Sequence, residues 1–130
     1  MVTAFYASLL AILLLILSIS VIGLRGNPAF AFIAQGKGDE ELLQRAIRAH
    51  ANFTEYAPMM LILLYFLEAS GTSDTKLQVL GGAFLLGRVA HGLCMGSMRF
   101  SMPLRVGGTA FTLMPLVATA VALLMQVVQQ

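Results

Sequence analysis

A chain of 130 residues in which 58% are hydrophobic and only 11% charged lies outside the range of soluble globular domains. The formal net charge of +2, with no basic run interleaved with aromatics, excludes a nucleic-acid binder; the single cysteine, Cys94, excludes an internal disulfide and any cysteine-based zinc site. A mean hydropathy of +0.86 points to an integral membrane protein, in one domain covering 1–130.

Four apolar runs, at about 2–24, 53–69, 77–95 and 106–128, each approach the roughly 20 residues that a bilayer crossing needs. The first contains no charged side chain, is longer than a signal-peptide core and follows no basic segment, so it reads as a retained span. Gly26-Asn27-Pro28 stops it. Gly36-Lys37-Gly38 then precedes a helix expected to begin in water at Asp39 and to end near Ala69. Its opening residues Asp39-Glu40-Glu41 meet the positive end of the helix dipole. Gly71-Thr72-Ser73-Asp74 forms a short turn, with Ser73 or Asp74 capping the third helix. Gly96 to Pro103 links the third helix to the fourth. Pro58 and Pro115 free the carbonyls of Thr54 and Phe111 inside the second and fourth spans and are expected to kink them. Gly81-Gly82, Gly87 and Gly107-Gly108 permit close helix approach.

The fold class that follows is all-α integral membrane, an antiparallel four-transmembrane-helix bundle. Arg25, Lys37, Arg45 and Arg48 flank the first connection, and Arg88, Arg99 and Arg105 the third, with Lys76 alone on the opposite side. Positive-inside bias then puts both termini on the non-cytoplasmic side of a bacterial inner membrane or an endomembrane.

The stretch from Arg45 to Pro58 carries two arginines, a histidine, an asparagine and a glutamate into an apolar run. Charges entering a membrane persist where they have partners or a polar ligand. Arg45, Arg48, Asn52 and Glu55 are spaced by three, four and three, so they share one helix face. Arg45 also stands four residues after Glu41 and reads as its surface ion-pair partner. His50 points to a different face. On the third helix Arg88 and His91 share a face, and Arg105 opens the fourth at the same membrane side. Several guanidiniums suit a ligand with more than one carboxylate or phosphate, and Glu55 suits an ammonium on the same ligand. A second reading pairs Glu55 with Arg88 across helices as structural glue. His50 and His91 have no metal-site spacing with the acids present, and Cys94 reads as a buried structural thiol.

Arg48-Ala49-His50-x-Asn52-x-x-Glu55, followed by Pro58 and an apolar span, closely resembles the second helix of the MAPEG family, the membrane-associated proteins in eicosanoid and glutathione metabolism. Gly87-Arg88-Val89-Ala90-His91 is similar to the third-helix motif of that family's prostaglandin E synthase branch, and Pro103-Leu104-Arg105 to the entry of its fourth helix. The resemblance covers essentially the whole chain and implies a homotrimer with glutathione, as co-substrate, bound between subunits near the cytoplasmic side. Carried over by motif, Arg48, Asn52, Glu55 and Tyr56 grip the tripeptide, and Arg88 and His91 line the same site. Arg25 matches the arginine that reaches a glutathione carboxylate from a neighbouring subunit. Arg105 matches the arginine credited with stabilising the thiolate, which fits the depression of a thiol pKa by a nearby cation. Two positions depart: Met95 stands where the family commonly has a tyrosine, and Val106 where the prostaglandin synthase branch has a serine. Both remove hydroxyls from near the thiol and argue against prostaglandin synthase chemistry.

The resemblance therefore implies a glutathione-dependent membrane transferase or peroxidase acting on lipophilic electrophiles or hydroperoxides that arrive through the bilayer. One alternative is a non-catalytic glutathione-binding or structural trimer, motivated by Met95 and Val106. Another is a small four-helix transporter, against which the first span has no ionisable group and Glu55 is the only candidate acid.

Overall fold

In the computed structural model, which describes residues 1–30, 32, 40–96 and 102–129, side chains of Gly96, Met102 and Leu104 excepted, the chain is all-helical. Helix α1 spans Val2–Leu24, α2 Glu40–Ala69, α3 Asp74–Gly96 and α4 Met102–Val128, with a single 3-10 turn at Pro28–Phe30. The expected positions of Lys37, Asp39 and Arg99, and the Gly36-Lys37-Gly38 breaker, fall outside the described residues.

Both described turns end their helices by the same device. Gly26 has φ +93°, its N–H donates to the Gly23 carbonyl at 3.0 Å, and the Asn27 N–H donates to Ile22 at 3.4 Å. Gly71 repeats this at φ +84°, with its N–H on Glu68 at 3.1 Å and the Thr72 N–H on Leu67 at 3.4 Å. These are Schellman caps, which require a left-handed residue at that point and so favour glycine. Ser73 then opens α3, its carbonyl accepting the N–H groups of Lys76 and Leu77.

The helices run up and down. Glu68, near the end of α2, accepts the backbone N–H groups of Val2 and Thr3 at 2.6 and 2.9 Å, so α1 and α2 are antiparallel. Gln126, near the end of α4, donates to Thr72 Oγ1 at 2.8 Å and accepts from Ser70 Oγ, which sets α4 antiparallel to α3. At the same end the Tyr6 hydroxyl donates to the Gln78 carbonyl at 3.0 Å.

The cross-section is a rhomb. Helices α2 and α3 each touch the other three, whereas α1 and α4 occupy opposite corners without contact among the described residues. Accordingly α1 and α4 expose their large apolar side chains, including Phe5, Ile12, Leu15 and Ile16 on one and Phe111, Met114, Val117 and Leu124 on the other. Val2–Leu24, Asp74–Met95 and Arg105–Val128 are long and apolar enough to cross a membrane. Helix α2, which contains the fourth expected span, is not among them because polar side chains occupy its first half.

The buried face of α2 is the stripe Leu42, Ala46, Ala49, Phe53, Ala57, Met60, Leu64 and Leu67. With Tyr6, Leu10, Leu17, Leu77, Phe84 and Met95 from α1 and α3, its lower members form the main core. Each of Arg45, Arg48 and Asn52 precedes a member of this stripe by one residue, so the polar stripe lies about 100° round the helix, at the edge of the packed face. Glycines let the backbones of α3 and α4 approach closely. A Cβ at Gly87 would lie 2.6 Å from the carbonyl carbon of Phe111, and one at Gly108 would lie 3.0 Å from the backbone nitrogen of His91. The freed carbonyl of Phe111, one turn before Pro115, thus sits against the hydrogen-only face of Gly87. Both α2 and α4 continue through their prolines.

Candidate binding cleft at the arginine end

The polar stripe of α2 ends in a cleft of about 350 Å³ lined by Glu41, Gln44, Arg45, Arg48, Met95 and Arg105. It lies at the opposite end of the bundle from Glu68 and Gln126. Three helices build it: α2 supplies two arginines one turn apart, α4 brings Arg105 in its first turn, and α3 closes the wall with Met95, only 7% exposed. Arg48 and Arg105 are exposed, and Arg45 is half-buried. Such a wall of guanidiniums is complementary to a multiply charged anion.

Beside the cleft, Arg88 is 2% exposed yet sits within the bundle as a cation. Its Nε donates to Thr112 Oγ1 at 3.0 Å; its Nη1 donates to Asn52 Oδ1 at 2.7 Å and more weakly to the Asn52 carbonyl at 3.4 Å. The rings of Tyr56 and Phe84 each have their centroid 5.9 Å from the guanidinium carbon, close enough for cation–π attraction. Thr112 passes the connection on, donating its hydroxyl hydrogen to the Gly108 carbonyl at 2.7 Å. Because arginine has only donors, Asn52 Oδ1 must face Arg88, and the Asn52 amide N–H groups are left for another acceptor. The structural-glue reading, in which Glu55 pairs with Arg88, is not what is observed: Glu55 is exposed, and Asn52 and Thr112 take the guanidinium.

The expected site residues therefore fall into three groups. Arg48 and Arg105 meet in the cleft. Asn52 and Tyr56, both half-buried, form a knot around the buried Arg88 one turn deeper, with His91 half-buried one turn beyond Arg88 on α3. Arg25 is elsewhere, in a second niche of about 270 Å³ between α1 and α2, lined by Ser18, Val21, Ile22, Arg25, Ile47, His50 and Ala51. Glu55 lines neither. Arg45 corrects the surface reading made above: it forms no ion pair with Glu41 among the described residues and lines the cleft instead.

In the second niche Ser18 Oγ donates to the Leu14 carbonyl at 2.8 Å and lies 3.0 Å from His50 Nε2. A hydroxyl has one hydrogen, so when Ser18 donates it to Leu14 its oxygen can only accept from the His50 ring. Thr112 and Ser18 were not singled out in the sequence. Each hydroxyl serves a partner on another helix, and only the i, i−4 hydroxyl habit of helical Ser and Thr was locally visible.

A model of the MAPEG family matches residues 3–125 of the chain. The inner membrane protein YecN of Escherichia coli (strain K12) is 38% identical over 91 residues, which cover 70% of this chain and 67% of that protein. The protein of the same name from Escherichia coli O6:H1 matches to the same extent. No solved structure matches. Family membership supports a glutathione-related membrane protein, and a relative in the inner membrane agrees with three helices of membrane-crossing length and hydropathy. With the family model matched over nearly its whole length, the chain belongs to the MAPEG family.

Proposed function

We propose that this protein is a glutathione-dependent membrane transferase or peroxidase. It would hold the tripeptide in the arginine cleft and present its sulfur to lipophilic electrophiles or hydroperoxides arriving from the bilayer. The observation that carries this reading is the convergence of Arg48 from α2 and Arg105 from α4 on one polar cleft at an end of the bundle. Arg48 takes a carboxylate, the free amide N–H groups of Asn52 take a backbone carbonyl, and Glu55, exposed on the same helix face beyond the cleft, takes the ammonium of a ligand that extends along α2. Tyr56, Arg88 and His91 form the wall behind them. Arg105 stabilises the thiolate by charge, raising its population at neutral pH. In conjugation the thiolate sulfur forms the new bond to the electrophilic carbon, and the displaced group leaves with the electron pair. In peroxide reduction the sulfur attacks a peroxide oxygen, the alcohol leaves after protonation, and a second glutathione converts the oxidised sulfur to disulfide with release of water.

The position of Arg25 supports assembly as a homotrimer. Its niche opens on the α1–α2 face, away from the cleft, so one subunit carries two polar half-sites that only a neighbouring copy would bring together. In the membrane the four helices span with both termini on the non-cytoplasmic side, placing the cleft at the cytoplasmic rim.

Met95 favours a second reading. It fills the cleft wall with a thioether where a hydroxyl would otherwise assist the sulfur, which fits a protein that binds glutathione without turning it over. Ultraviolet titration of the detergent-purified protein with glutathione separates the two. A transferase or peroxidase gives a thiolate absorbance that Arg105→Ala abolishes, together with conjugation of an activated aryl halide or consumption of a lipid hydroperoxide. Binding with no thiolate signal and no turnover makes it a binder.

A further inference from the structure

Among the described residues at this end of the bundle, Arg45 is a cation whose surroundings do not account for it. Its Nε is buried and has no hydrogen-bond partner, a condition that among the described residues it shares only with Thr3 Oγ1 near the start of α1. The partner expected from sequence, Glu41 one turn earlier, lines the same cleft without pairing to it. The other acid of that turn, Glu40, is engaged by Gln44, whose Nε2 donates to its carboxylate at 2.9 Å. A buried donor without an acceptor weakens the folded state unless something outside the subunit completes it. The orphan lies in the side chain that stands one turn before Arg48, facing the same cleft as Arg105.

We infer that Arg45 is a further ligand-binding residue of this cleft, turning its guanidinium outward to hold a second carboxylate of the ligand that Arg48 also holds. The inference rests on the glutathione reading above and extends it. Glutathione carries a carboxylate at each end, and a guanidinium presents donors along two edges, so two arginines one turn apart can each take one, with Arg25 of a neighbouring subunit sharing one of them. Turning the side chain brings Nε out of its unpartnered burial to the ligand's oxygen, an acceptor the free protein does not offer there.

Isothermal calorimetry on the detergent-purified full chain tests this, with three probes: glutathione, its glycine-end ethyl ester, and the analogue lacking the glutamyl α-carboxylate. Arg45→Ala should weaken glutathione about 10- to 100-fold, the range for losing a charge-assisted hydrogen bond, and Arg45→Lys should fall between variant and parent. One of the two single-carboxylate analogues should bind parent and Arg45→Ala alike, because it lacks the group that Arg45 holds. A detergent elution volume equal to the parent's and a melting temperature no lower than the parent's establish that the fold is retained. If Arg45→Ala binds glutathione within about twofold of the parent while Arg48→Ala does not, the Arg45 assignment is overturned and the functional reading stands. Equal losses for all three probes also overturn it, since the effect would then not pass through a carboxylate. A parent protein that binds no glutathione overturns both.

Discussion

Replacing Thr112 by valine should destabilise the bundle by about 1–3 kcal/mol, although the two side chains have nearly the same shape. Thr112 is 1% exposed, and its Oγ1 accepts the Arg88 Nε–H at 3.0 Å. Two scales compete for the size of the effect. A neutral interhelical hydrogen bond in a bilayer averages about 0.6 kcal/mol, because the unfolded helices find other partners. The donor here is a guanidinium on a residue only 2% exposed, so removing Thr112 Oγ1 leaves its Nε–H without an acceptor within the packed bundle, while Nη1 keeps Asn52. That cost lies on the larger scale, about 1–3 kcal/mol. The Gly108 carbonyl loses only a supplementary bond, since it also accepts within the helix ladder. Thr112→Ser keeps the acceptor and gives up one methyl, about 0.8 kcal/mol of apolar burial. Equilibrium unfolding in mixed detergent micelles, followed by helical circular dichroism, measures all three proteins. A valine variant within about 0.5 kcal/mol of the parent would refute the view that Arg88 depends on Thr112 for its burial.

Other substitutions probe the remaining contacts. Gly87→Ala should cost about 1–3 kcal/mol by forcing a Cβ against the Phe111 carbonyl, whereas Gly107→Ala meets nothing within 4 Å and should be neutral or stabilising by the same unfolding assay. Glu68→Ala removes the acceptor for the Val2 and Thr3 N–H groups and should cost about 0.5–2 kcal/mol, with faster amide exchange confined to the start of α1. Gly71→Ala should lose about 1 kcal/mol from backbone strain alone, because its φ of +84° is unfavourable to a side chain while a Cβ there has open space.

The helix limits were largely legible because they depend on local chemistry. A charge-free run bounded by Gly26 defined α1 over Val2–Leu24, and Gly71 marked the turn before α3. The glycine signals at Gly81, Gly87 and Gly108 also had a local reading, and each proves to lie against a neighbouring helix. Relations between helices were less legible. Spacing along α2 put Arg45, Arg48, Asn52 and Glu55 on one face, but it could not say that the cleft reaches Arg45 and passes Glu55 by. Periodicity orients a residue about its own helix axis and carries no information on which neighbour stands beside it. For the same reason Arg25 and Arg48, which both flank the first connection, turn out to face different hollows. The burial of Arg88 depends on Thr112 and Asn52, which stand 24 and 36 residues away from it.

The central claim, that the arginine cleft is a glutathione site, is tested most directly by calorimetric titration of the detergent-purified protein with glutathione, alongside Arg48→Ala. The account predicts saturable binding by the parent and a loss of about tenfold or more in the variant, as expected for removal of a charge-assisted contact to a carboxylate. No heat of binding in the parent, or equal affinity in the two proteins, would contradict it.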